Sequence, residues 1–217
     1  MKGLLIKDIR LMKNMRNSII MILLIAVSMG AYMKDVSFII TYLALIGASF
    51  TTSTMSYDEF DNGYTFLLSL PVTRKGYVLE KYAFGLLLGG GGWLLGSVIV
   101  TVAGAVRNTS TVTDSLMMSL VMLPVALLLL SVLIPFHMKF GGEKGRIVMI
   151  ITIGLIFAAT VLGVKLAEAM NIDLDAALEK LPVMGTGAVA VGAVVISVVI
   201  LLLSCRISIG IMNKKEF

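Results

Sequence analysis

The sequence predicts an all-α, polytopic membrane protein, and three observations carry that prediction. Of 217 residues, 58% are hydrophobic and 14% are charged, against roughly 25% charged in a soluble domain, and the mean hydropathy is +0.99. Six runs are long enough to cross a bilayer, which takes about 20 mostly apolar residues rising about 1.5 Å each. None shows the strict alternation of a barrel strand. The runs are therefore helices, whose backbone groups bond one another where lipid offers no partner.

Residues 1–17 set Leu4, Leu5, Ile9, Met12 and Met15 against Lys2, Lys7, Arg10, Lys13 and Arg16. This spacing predicts an amphipathic elbow helix in the headgroup layer, facing anionic lipid, where it can also touch a cytoplasmic partner. A basic start, an apolar stretch and then Ser28, Gly30 and Ala31 imitate a secretory signal. Five further spans follow, so the first is read as a retained helix. The spans are expected at about 18–34, 36–57, 83–106, 115–136, 147–165 and 185–205, as parts of one transmembrane domain over 1–217.

Span two ends in Ser49, Thr51, Thr52, Ser53, Thr54 and Ser56. Such hydroxyls suit either a helix-packing face or the lining of a transport path. Span three holds Gly85-Leu-Leu-Leu-Gly89 and Gly92-Trp-Leu-Leu-Gly96 with Gly89–Gly92 contiguous, which predicts close helix approach and invites a bend. No Gly-Lys-Ser/Thr follows, and Gly141-Gly142-Glu143-Lys144-Gly145 also fails the phosphate-loop spacing, reading instead as a flexible turn. In the outer loop, Leu174, Leu178 and Leu181 oppose Asp173, Asp175, Glu179 and Lys180, the pattern of a short surface helix.

Lysines and arginines are uneven between the two sides. Five precede span one and three lie in each of the loop after span two, the loop after span four and the segment from Arg206 onward, against Lys34, Arg107, Lys165 and Lys180 opposite. The positive-inside rule then puts both termini in the cytoplasm of a multi-pass cell-membrane protein. Spread over four loops, these charges form no clustered basic face for nucleic acid. A single histidine, His137, excludes His-Glu-x-x-His and other multi-histidine metal sites. It reads as an interfacial residue. The lone Cys205 can form no internal disulfide, and Asn108-Thr109-Ser110 is a short glycosylation match on the outer side. The six span cores carry no Asp, Glu, Lys or Arg, whereas ion-coupled carriers keep ionisable groups near the midplane. Energy for uphill transport must then enter through the cytoplasmic loops.

The largest such loop covers 58–82. Asp61 or Asn62 can cap a short helix, Pro71 disfavours helical geometry at Leu70, and Thr73 can cap a second helix from Arg74. A short apolar helix carrying Phe66, Leu67, Leu68 and Leu70 results, suited to a groove on a partner. Glu59, Asp61 and Arg74 are its expected rim charges, and Pro71 to Arg74 its rigid link to span three. The stretch Phe66-Leu-Leu-Ser-Leu-Pro-Val-Thr-Arg-Lys-Gly-Tyr-Val-Leu-Glu-Lys-Tyr82 resembles the segment after the second span of ABC-2 type transporter permeases. Leu70, Pro71, Val72, Thr73, Arg74 and Lys81 match its Leu-Pro-Val/Ile-Ser/Thr-Arg core and following Lys. The start Leu4-Leu5-Ile6-Lys7-Asp8-Ile9-Arg10 is similar to the family's opening helix. In size the chain resembles the compact permeases of bacterial peptide exporters, of the phenol-soluble modulin exporter type.

The resemblance implies a permease without catalytic residues, coupled through the loop helix to a separate ABC ATPase subunit that holds ATP and Mg. It also implies pairing with a second permease chain, identical or not, with a hydrophobic or amphipathic substrate passing between them. The Ser49 to Ser56 hydroxyls would then line the path or seam. Family members with an extended outer domain differ, because only about 16 residues join spans five and six here. Two other classes fit less well: an ion-gradient carrier, for which the missing intramembrane charges are adverse, and a non-transporting scaffold or immunity protein.

Overall fold

The computed structural model describes residues 2–33, 36–60, 63–69, 71–109, 111–142, 144, 147, 150 and 186–215, and the elements among them are helices. They are α1 (Lys2–Asn14), α2 (Arg16–Tyr32), α3 (Phe38–Glu59), α4 (Gly63–Ser69), α5 (Arg74–Arg107), α6 (Val112–Phe140) and α7 (Thr186–Lys214). Four stretches are long and apolar enough to cross a membrane: Phe38–Glu59, Arg74–Arg107, Val112–Phe140 and Val189–Lys214. With 17 residues α2 is shorter, and it meets α1 at a 69° bend. The span expected at about 147–165 lies outside the described residues except for 147 and 150. So does the surface helix expected at 167–182.

Two helices extend well beyond the expected spans: α5 begins at Arg74 where its span is expected from about 83, and α7 ends at Lys214 where its span is expected to end at about 205. Thr73 accepts from the Gly76 amide and starts α5 at Arg74, the helix expected there to run on into span three. Thr111 and Asp114 form a reciprocal capping box that opens α6, and Gly141, at φ 77°, follows its last residue Phe140. At 34 residues, α5 is about 51 Å long, enough for the hydrocarbon core and both headgroup layers.

α5 packs most closely on α3, and α6 on α7. The glycine motifs explain the first pairing. A Cβ at Gly92 would strike the Leu43 carbonyl and one at Gly47 the Leu88 carbonyl, both backbone atoms of the facing helix. The run Gly89–Gly92 does not break the helix, since two of its members seat α5 against its neighbours. The α6–α7 pairing has a different cause. Pro135 cannot donate to the Ser131 carbonyl one turn back, and Ser204 Oγ of α7 donates to it at 2.6 Å. Tyr82 of α5 then joins Ser204 and Ser208 at 2.7 and 2.9 Å. Outward-facing Leu24, Val98, Leu116, Ile196 and Leu202 are each more than half exposed, the inverse of a soluble core and the expected surface toward lipid.

Candidate functional site

The loop after α3 closes tightly on itself. A Cβ at Gly63 would lie 2.6 Å from the Asp58 carbonyl, so glycine lets α4 fold directly against the end of α3. Within α4 the side chains divide. Tyr64 and Leu67 are buried, Tyr64 edge-on to Tyr77 with ring centroids 5.7 Å apart, whereas Phe66 is 72% exposed. Burial pushes the Tyr64 phenol up; the Tyr77 hydrogen bond opposes this, and the charges of Glu59 and Asp58 add to it.

Behind α4 lies a buried ionic network joining three helices. Lys81 of α5 is fully buried and pairs with Asp8 of α1, with Asp58 Oδ2 of α3 at 2.9 Å, and donates to Thr54 Oγ1 at 3.2 Å. Lys7 pairs with Asp58 and lies 3.2 Å from Asp8 Oδ1. Tyr77 donates to Asp58 Oδ2 at 3.1 Å and places its ring 5.2 Å from the Lys81 ammonium. Two carboxylates and two ammoniums thus compensate one another. Charges removed from water hold together only under such pairing. Burial alone would pull the Lys7 ammonium down, but Asp58 and then Asp8 outweigh it and hold Lys7 above its ordinary value. Glu80, also buried, sits 3.8 Å from Lys81, and its oxygens accept no hydrogen bond among the described residues.

A second junction closes the inner ends of the other helices. Glu59 accepts from the Gly142 amide at 2.8 Å and from Lys215 at 3.2 Å, with His137 Nε2 3.9 Å away. Arg74 donates to the Met212 and Asn213 carbonyls at 3.2 and 2.7 Å, satisfying the last turn of α7. Further along α3, a cavity of about 570 Å3 is lined by Ser49, Thr52 and Ser53 together with Ser18, Ile22 and Leu133.

A family model described as an ABC-2 family transporter protein matches residues 3–213. The chain belongs to the ABC-2 transporter family. No curated protein and no solved structure matches it. Membership implies, in general, a non-catalytic membrane component that works with an ABC ATPase.

In this ABC-2 protein the inner end of the bundle gathers Glu59, Phe66, Leu67, Pro71, Thr73 and Arg74; Asp61 and Leu70 lie outside the described residues. Four expectations change in detail. Leu67, expected to fill a partner's groove, packs into the chain's own core beside Tyr64. Glu59 and Arg74, expected as rim charges, are bound to α6 and α7 of the same chain. The hydroxyl run does not present one face: helical periodicity turns Thr51 and Thr54 inward, while Ser49, Thr52, Ser53 and Ser56 stay at least partly exposed. His137, expected at the interface, is buried at 7%. Sequence reasoning passed over Asp8, Asp58, Tyr77 and Glu80 and used Lys81 only as a motif position. One signal was available. Asp8 stands four residues after Leu4, on the same apolar face of a helix whose other ionic residues are all basic, and both are buried.

Proposed function

We propose that the chain is the membrane-spanning permease subunit of an ABC exporter, worked by a separate ATPase subunit that docks on α4. It pairs with a second permease chain and passes a hydrophobic or amphipathic substrate, of which a peptide is the best-fitting class. The topology is six spans with both termini in the cytoplasm of the cell membrane. α2 supplies the first and the 147–165 segment the fifth.

The observation that carries this reading is the division of α4. Phe66 is exposed, while Tyr64 and Leu67 root the same helix against the network of Asp8, Asp58 and Lys81. A push on Phe66 therefore reaches α1, α3 and α5 together, because buried pairs and close packing move as units rather than deform. The partner's nucleotide-driven movement supplies the energy. This chain's residues receive it at Phe66, transmit it through Pro71, Thr73 and Arg74, and tilt α3 and α5. The remaining expected contacts, at Glu59, Asp61 and Leu70, lie around the same helix in sequence.

The reading is tested by Phe66→Glu in the chain purified with its ATPase. A charge at an anchor of this kind costs about 2 kcal/mol or more in binding, so permease-dependent ATP hydrolysis should drop at least tenfold while membrane insertion is retained. Hydrolysis equal to wild type would refute docking at α4.

A further inference from the structure

A groove of about 830 Å3 opens between the inner ends of α6 and α7, on a part of the surface that the coupling mechanism does not use. Apolar Pro135, Phe136, Ile207 and Ile211 line it together with Lys139, Lys214 and Lys215. No acidic residue lines it among the described residues. We propose that this groove binds an anionic glycerophospholipid, with an acyl chain along the apolar walls and the phosphate between Lys139 and Lys214.

The charge arrangement selects the headgroup. Lys139 and Lys214 lie in the last turns of α6 and α7, where unpaired carbonyls alone would repel an anion. At α7 that effect is offset by Arg74, whose guanidinium already binds the Met212 and Asn213 carbonyls and adds positive charge beside Lys214. Lys215 is paired with Glu59 and contributes less. Lys139 and Lys214 remain as the cations for the phosphate, with the Lys139 ammonium 5.1 Å from the Phe140 ring. Basic pockets between transmembrane helices at a headgroup layer are suited to anionic lipid, and each basic residue near such a surface is worth about a factor of five in binding. A zwitterionic lipid fills the same walls but brings its own cation to the lysines.

The experiment is native mass spectrometry of the intact chain in detergent, titrated with phosphatidylglycerol and, separately, phosphatidylcholine. Wild type should retain one phosphatidylglycerol per chain in preference to phosphatidylcholine. Lys139→Gln with Lys214→Gln should lower that preference about fivefold per lysine, and Lys139→Arg with Lys214→Arg should keep it. Equal retention of both lipids by wild type, or an undiminished preference in the glutamine variant, overturns the proposal. Should the glutamine variant fail to fold, Phe136→Trp in a Trp93→Phe background decides. Stronger quenching by brominated phosphatidylglycerol than by brominated phosphatidylcholine supports the site. Equal quenching, or none by either lipid because protein covers the groove, overturns it.

Discussion

Lys81 is the residue on which the inner junction turns. It sits inside the protein between two carboxylates from different helices, so Lys81→Met would leave Asp8 and Asp58 to share the single, partly exposed ammonium of Lys7. Removing one member of a buried pair costs about 3–5 kcal/mol, much of it the penalty of the stranded charge. Thermal unfolding in detergent should show a loss of that size. Adding Asp8→Asn to Lys81→Met should return about 1–3 kcal/mol of it, the coupling expected of contacting charges; a double variant no better than the sum of its parts would argue that the pair does not interact. The same junction predicts a pH response. Lys7 and Tyr64 both hold their protons more tightly in the folded chain than their ordinary values imply. Their stabilisation is therefore complete below about pH 10 and declines as pH rises through the raised values. Hydrogen exchange at α1 and α4, after correction for intrinsic rates, should accelerate as the solution is taken above about pH 10; exchange that does not change there would contradict this.

At the scale of the elements, helix pairing depends on where a backbone carbonyl of one helix meets a missing side chain of another. Gly47 and Gly92 face the Leu88 and Leu43 carbonyls, whereas Gly90 and Gly91 face open space. Gly92→Ala and Gly47→Ala should each destabilise the α3–α5 pair by about 1–3 kcal/mol, since backbone atoms cannot swing aside. Gly90→Ala and Gly91→Ala should be neutral or stabilise by up to about 1 kcal/mol, through helix propensity. Unfolding midpoints of the four variants check the contrast, and four equal effects would mean that glycine serves the helix itself rather than its packing. The Ser204 contact follows related logic. A proline in α6 frees a carbonyl within the membrane, and a hydroxyl on α7 satisfies it.

In the whole molecule, α5 acts as a tie between the two ends of the bundle. Arg74 at its first position binds the last carbonyls of α7, and Arg107 at its last binds the Gly30 carbonyl of α2 at 2.6 Å. In the proposed mechanism, movement received beside Arg74 would be carried to the far end along one unbroken helix. The substrate path is proposed at the seam between two chains, with the partly exposed hydroxyls of α3 facing it. Thr52→Cys in a Cys205→Ala background should form an inter-chain crosslink in the purified complex. No product at Thr52 or at Ser49, Ser53 and Ser56 would remove α3 from the seam.

Composition and run length by themselves determined that this is an all-α membrane protein, because apolar length and helical periodicity are properties of a local stretch. The cap at Thr73, the stop before Pro71 and the close-packing glycines were legible for the same reason: each depends on one residue's own backbone or volume. The tertiary structure alone decided the ionic junction of Asp8, Asp58 and Lys81, the inward turn of Leu67, and the engagement of Glu59 and Arg74 within the chain. Those residues are separated by as many as 156 positions, as between Glu59 and Lys215. A charge carries no mark in sequence of the partner that will neutralise it, and only the packing of distant helices brings the two within reach.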